Sequence, residues 1–235
     1  MLNFLRKLRR PATAGKQEMK RGHYLKYALG EIILVVIGIL IALSINNWNE
    51  GRKIDEDEKK LLEKVKTENE YNLKILTNDS IYFRNIQQTL YTLAVNLKKP
   101  QSDERDLLIG QGINEALRLV SLEFSKEYLT RYINNSQIND DEFTYEFIEL
   151  KDMLGSVELG SQLISEYSFN NIIGWMESSI DFLEGEILDF EKLESEVFRN
   201  RLIVLSSLEE SRSANIFRSI EKASRIDSLL TVRLD

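Results

Sequence analysis

Residues 32–43 read IILVVIGILIAL, and no other stretch constrains the chain as tightly. Only Gly38 breaks the apolar character, and Ser44 is the one polar residue before Ile45. A hydrocarbon core of ~30 Å asks for ~20 helical residues, so the run by itself is short and the flanks decide. Tyr24 and Tyr27 precede it and Trp48 follows, a span of about 36 Å at ~1.5 Å per residue, which sets aromatic rings at both headgroup layers. The segment 24–48 is therefore expected to be a membrane-spanning helix with Tyr24, Tyr27 and Trp48 as interface anchors, and the lipid bilayer is its first partner.

Three residues in or beside the run ask for more than lipid. Glu31 sits near its end, at or just inside the interface, within reach of headgroups and Lys26. A carboxylate deeper in hydrocarbon costs a few kcal/mol, so the interfacial reading is preferred over one used in assembly or ion coupling. Gly38 and Ala42 make a small-xxx-small pair, which lets two helix backbones approach closely and marks the candidate face for helix association in the membrane.

The net charge of −7 is unevenly divided. Before Ile32, eight basic residues stand against Glu18 and Glu31, giving +6 and leaving −13 for the remainder. An acidic body argues against nucleic acid as partner. The basic tail, residues 1–23, resists translocation, which predicts a cytoplasmic N-terminus and puts residues 49–235 outside. Leu2, Leu5 and Leu8 among basic residues suit either a membrane-surface patch or a disordered tail. A signal peptide cleaved after Ala42-Leu43-Ser44 is the competing reading of the run. The long basic n-region and the helix-compatible sequence beyond Ser44 favour an uncleaved signal anchor.

The rest reads as helix. Two prolines and eleven glycines are few for turn-rich β architecture. Leu62, Val65, Leu73, Leu76, Phe83, Leu90, Leu93 and Leu97 recur at three- and four-residue steps, predicting one long amphipathic helix over 54–97, ended by Pro100. Asn69 and Asn72 interrupt its stripe. Solvation of that face is preferred there over a register-setting role of the coiled-coil kind. Ser102 with Asp103 and Glu104 opens a helix expected to reach residue 121, whose Gly110-Gln111-Gly112 marks a kink or close helix contact rather than a phosphate loop. Phe124, Tyr128, Leu129, Tyr132 and Ile133 form a short turn set. Asp140 and Asp141 open a helix with Phe143, Phe147, Leu150, Leu154 and Val157 on one face, and the pattern breaks around Ser168 to Asn171. Ile172, Met176, Ile180, Leu183, Ile187 and Phe190 predict a further long helix to about Arg201, and a last segment starts at Ser213. The fold class expected is all-α: one transmembrane helix continuing into a helical bundle.

The block from Tyr24 to Glu50, YLKYALGEIILVVIGILIALSINNWNE, resembles a family of small membrane-anchored proteins of Bacteroidota grouped as a domain of unknown function, DUF6090. The resemblance implies an inner-membrane protein with a periplasmic helical domain and no known activity. Ser44 stands where the pattern suggests a longer polar side chain.

His23 is the only histidine and cysteine is absent, so the outer domain lacks an ordinary transition-metal set and a Ser-His or Cys-His pair. Acidic pairs such as Glu184, Glu186, Asp189 and Glu191 read as solvated faces. No catalytic, cofactor-binding or metal residue is expected, and no cofactor. The function expected is an interaction or scaffold protein that self-associates or meets an envelope protein partner. The alternative is a periplasmic sensory or ligand-binding module that signals through a partner, because the short inner tail is too small for an output domain.

Overall fold

A computed structural model describes residues 21–78, 80–136, 141–184 and 186–235, with the side chains of residues 21–26, 80, 141, 142 and 186 left aside. The basic patch at residues 2–10 lies outside the described residues. Two compact units divide the chain at Lys53 and Ile54. Helix α1 (Arg21–Asn78) begins in the first unit, where the apolar run is helical throughout.

The second unit is an antiparallel bundle of four legs. The first leg is α1 from Ile54 together with α2 (Ser80–Asn96). The expected helix over 54–97 is helical on both sides of residue 79, which lies outside the described residues, and the two stretches follow one line. Asn69, in α1, donates to the Ala223 carbonyl, and the Gln87 carbonyl in α2 accepts from Ser206, so both run antiparallel to the same partner helix. That partner is α8 (Glu196–Leu234), the fourth leg.

The second leg returns through α3 (Asp103–Ala116), an extended stretch, and α4 (Glu127–Ile133). Ser102 caps α3 as expected, its side chain accepting from the Arg105 amide at 3.2 Å. Helix α3 stops at Ala116 rather than near 121. The residues that follow are held in extended form by bonds from other legs, which a local pattern cannot show. The third leg is α5 (Asp141–Ser168); Asp140 lies outside the described residues.

The expected helix across 172–201 is overturned. A π-helical turn (Phe169–Ile173) follows α5, where the sequence pattern breaks, and leads through α6 (Gly174–Met176) into a two-stranded antiparallel hairpin, β1 (Ile180–Asp181) with β2 (Glu186–Ile187). Local polar groups outcompete the apolar period here. The Ser179 carbonyl accepts from the amides of Leu188 and Asp189, and Asp181 accepts from those of Leu183 and Glu184. Asp189 then caps α7 (Phe190–Leu193), and Ser195 caps α8 through the Phe198 amide. Helix α8 also runs unbroken past Ser213. Of its serines, Ser207 bonds back to the Ile203 carbonyl of its own helix, while Ser206 and Ser213 cross to the first leg.

Two apolar cores stack along the bundle. One gathers Leu62, Leu76, Phe83, Leu129, Phe147, Val157 and Ile216; the other gathers Ile86, Leu93, Ile113, Ile164, Phe198 and Leu205. All four legs pass from one core to the other at the same level, between residues 83 and 86, 116 and 122, 157 and 164, and 205 and 216. That level is a waist. Ser161, Glu209 and Arg212 are buried there in place of apolar side chains.

Candidate functional site: the apolar span and the polar waist

In the first unit, none of the most apolar window of α1 is buried, and its mean hydropathy is 2.7. Among the described residues this helix alone is long and apolar enough to cross a membrane. Leu34 is 74% exposed and Tyr27 and Trp48 stand at 76% and 66%. A soluble surface seldom leaves so large a contiguous apolar patch bare. The Arg52 guanidinium lies 5.6 Å from the Trp48 ring, a cation–π pair just past the run. Glu31 is exposed, as is Ala42. A Cβ built on Gly38 meets nothing within 4 Å, so the small-xxx-small face is open. The side chains of Tyr24 and His23 lie outside the described residues.

In the second unit the asparagines read as solvated are fully buried, and that expectation is corrected. Asn72 clamps the extended stretch from both sides, donating to the Ser125 carbonyl at 2.6 Å and accepting from its amide at 3.0 Å. Asn69 donates to the Ala223 carbonyl at 2.9 Å. One turn earlier, Glu68 accepts from the Ser125 hydroxyl and from the amides of Tyr128 and Leu129. These amides are orphan donors of the first turn of α4, where Lys126 makes no side-chain cap. The cap therefore comes from α1, across the bundle. Exposure would leave three residues free; burial lets Asn72 and Glu68 fix which stretch of the second leg lies against the first, and Asn69 do the same for the fourth.

The waist is built around Arg212. It bonds Glu209 at 2.6 Å, donates to the Val120 carbonyl at 3.2 Å and lies 5.0 Å from the Phe83 ring. Burial raises the Glu209 carboxyl pKa, and Arg212 works against that rise. Beside them Tyr82 carries Arg118 over its ring at 4.1 Å, and its pKa is pushed up to about 12, by burial first and the Glu209 charge second. Further along α8, Lys222 bridges Glu146 and Glu149 of α5. Burial lowers its pKa, the two carboxylates raise it more, and the net shift is upward. The π-turn is also stapled to α8, since the Asn171 carbonyl accepts from Arg201 at 2.9 Å.

Gly112 bears out the close contact read from Gly110-Gln111-Gly112: a Cβ there would lie 2.7 Å from the Leu93 Cβ of α2, while Gly110 faces open space. Arg105 pins the same corner by donating to the Asn96 carbonyl and pairing with Glu194. Sequence reasoning passed over Glu68, Glu209 and Arg212. A signal was present, because Leu205, Glu209, Arg212 and Ile216 fall at steps of four, three and four, which puts two charges in an apolar seam.

Glu68, Asn69, Asn72, Glu209 and Arg212 are thus engaged with one another or with backbone, which holds elements in place. Among the described residues no group of three or more His, Cys, Asp or Glu side chains is disposed to hold a metal ion. A solvent-open groove of ≈ 370 Å³ is lined by Phe143, Glu146, Leu229, Val232 and Arg233.

These features define a helical protein with one apolar helix able to span a membrane and a bundle fixed by buried polar clamps. Residues 31–102 match the model of DUF6090, a family of unknown function, so the family resemblance holds over that stretch. The match runs past the apolar segment through α2, further than the block that first suggested it. No curated protein and no solved structure matches the chain.

Proposed function

We propose that this is a single-pass inner-membrane protein, N-terminus cytoplasmic, whose bundle is a periplasmic interaction or scaffold module rather than an enzyme. The observation that carries the reading is the bare apolar face of α1 from Ile32 to Ile45, joined in one helix to the first leg of the bundle. Lipid is the solvent that such a surface fits. The basic tail supports the orientation, and Gly38 with Ala42 offers a face for self-association. These buried polar clamps serve the bundle's own architecture, which supports a presenting surface over a reaction centre.

Fractionation with alkaline carbonate, followed by protease treatment of intact and osmotically opened cells carrying a C-terminal tag, tests this. The chain should stay with the membrane, and its tag should be cleaved only after the outer membrane is opened. Release by carbonate defeats the anchor; a tag protected until the inner membrane is dissolved reverses the topology. The ligand-binding alternative draws on the ≈ 370 Å³ groove, and its mark is a small molecule that raises the melting temperature.

A further inference from the structure

The seam between α1 and α4 opens into a cleft of ≈ 450 Å³. Asp57, Lys60, Leu61 and Lys64 line it from α1, and Arg131 and Asn135 line it from α4 and the turn just after. On a chain with a net charge of −7, its three cations are poorly matched by acid. Lys60 meets Asp57 at 3.4 Å, but both side chains are well exposed and such a pair holds weakly. Lys64 lies 5.4 Å from the centre of the Tyr128 ring, a cation–π contact in place of an ion pair. The Arg131 guanidinium has no hydrogen bond or ion pair among the described residues.

Other carboxylates stand at the rim. At ~100° per residue, Glu56 and Glu63 fall about 40° and 60° from Lys60, on the side away from Leu61 and Lys64. Around α4, Glu127 falls about 40° from Arg131, on the side away from Tyr128. Glu68 shares a side of α1 with Lys64, but its oxygens are taken up by the Ser125 hydroxyl and the amides of Tyr128 and Leu129. Those same bonds make the cleft. Glu68 holds α4 against α1, the Tyr132 hydroxyl donates to Glu58, and Arg131 between these two anchor points is brought to face Lys60 and Lys64. The cations are thus gathered by the fold itself, at a Coulomb cost that a bound anion relieves.

We propose that this cleft binds a phosphoryl anion, carried either by a free phosphate ester or by a lipid headgroup. A guanidinium fork and two ammonium groups offer more donors than the two oxygens of a carboxylate can use. They match the three outer oxygens and the near-double charge of a phosphate. Lys64 also lines a neighbouring groove of ≈ 590 Å³, where Tyr71 and Tyr128 give the organic part of the ester an aromatic wall. Every residue of the site belongs to the bundle, so the site stands whether or not α1 spans a membrane.

Calorimetric titration of inorganic phosphate into the full-length chain in an uncharged detergent, against chloride at equal ionic strength, tests this. Phosphate should bind saturably. Arg131→Gln should weaken it about tenfold and Lys64→Gln about threefold, since each removes a cation from the contact. Asp57→Asn should tighten it about threefold by removing the carboxylate that lines the cleft, a gain that a purely structural role does not produce. Arg218→Gln, at an exposed arginine of α8 outside the cleft, should leave it unchanged. Phosphatidylglycerol mixed into the micelles tells the two sources apart. Competition with phosphate that Arg131→Gln abolishes assigns the site to a headgroup, and phosphate binding without competition assigns it to a free ester. Phosphate binding no stronger than that of chloride, or a loss as large in Arg218→Gln as in Arg131→Gln, overturns the site.

Discussion

At the scale of single residues, the waist shows how a buried charge can hold a helix in place. Arg212 has its pair, a carbonyl and a ring, while Glu209 depends on Arg212 alone among the bonds at the waist. Arg212→Met should therefore cost roughly 3–5 kcal/mol, because it strands a buried carboxylate, and adding Glu209→Leu should recover most of it. Urea denaturation of the two variants in detergent, followed by circular dichroism, measures the difference. Tyr82 gives a pH signature. With its pKa raised from 10.0 to about 12, folded and unfolded chains both keep the phenolic proton below pH 10. Between about pH 10 and 12 the unfolded chain loses it first, so stability falls as pH rises through that window. Tyr82→Phe should flatten that alkaline limb. It should also be nearly neutral at pH 7, since the buried hydroxyl has no hydrogen-bond partner among the described residues. A limb as steep as the parent's would remove Tyr82 as its source.

Among the elements, α3 and α5 use glycine in opposite ways. At Gly112 a methyl group collides with the Cβ of Leu93, which cannot swing aside, so Gly112→Ala should destabilise the bundle by about 1–3 kcal/mol. At Gly155 and Gly160 the space is open, and Gly→Ala at either should raise the stability of the bundle by up to ~1 kcal/mol. Thermal melts of the three single variants should show one shift downward and two upward; a uniform response would mean that helix propensity alone governs all three. The π-turn shows the same dependence on neighbours. It lengthens the path after α5 by a local bulge, and Arg201 takes up the freed Asn171 carbonyl. Helix α4 likewise starts where Glu68 of α1 supplies its missing cap.

For the bundle as a whole, two stacked cores share every leg, and α2, α5 and α8 each pack into both, which couples the two in folding. Leu129→Ala in one core and Leu202→Ala in the other should each cost about 2–5 kcal/mol and shift the same single transition. Circular dichroism and Trp175 fluorescence, read in a Trp48→Phe background, should give coincident curves; separate midpoints would show two independent cores. Much of this was legible beforehand. The apolar run, the helical class, the stripe from Leu62 to Leu97 and the Ser102 cap follow from period and capping chemistry, which act within one or two turns of chain and so leave their mark in local sequence. The 180–187 hairpin and the π-turn were not legible, because hydrogen bonds around Ser179, Asp181 and Arg201 prevailed over an apolar spacing that suits a helix equally well. Nor could the sequence tell a solvated Asn69, Asn72 or Glu68 from a buried one. The sequence by itself determined that the chain is helical, where its apolar span lies and how its charge divides. Only the tertiary structure decided which polar residues are buried and which glycines have a neighbour, since the clamps depend on partners 50 or more residues away in sequence and Gly112 on Leu93 of another helix, which no local pattern encodes.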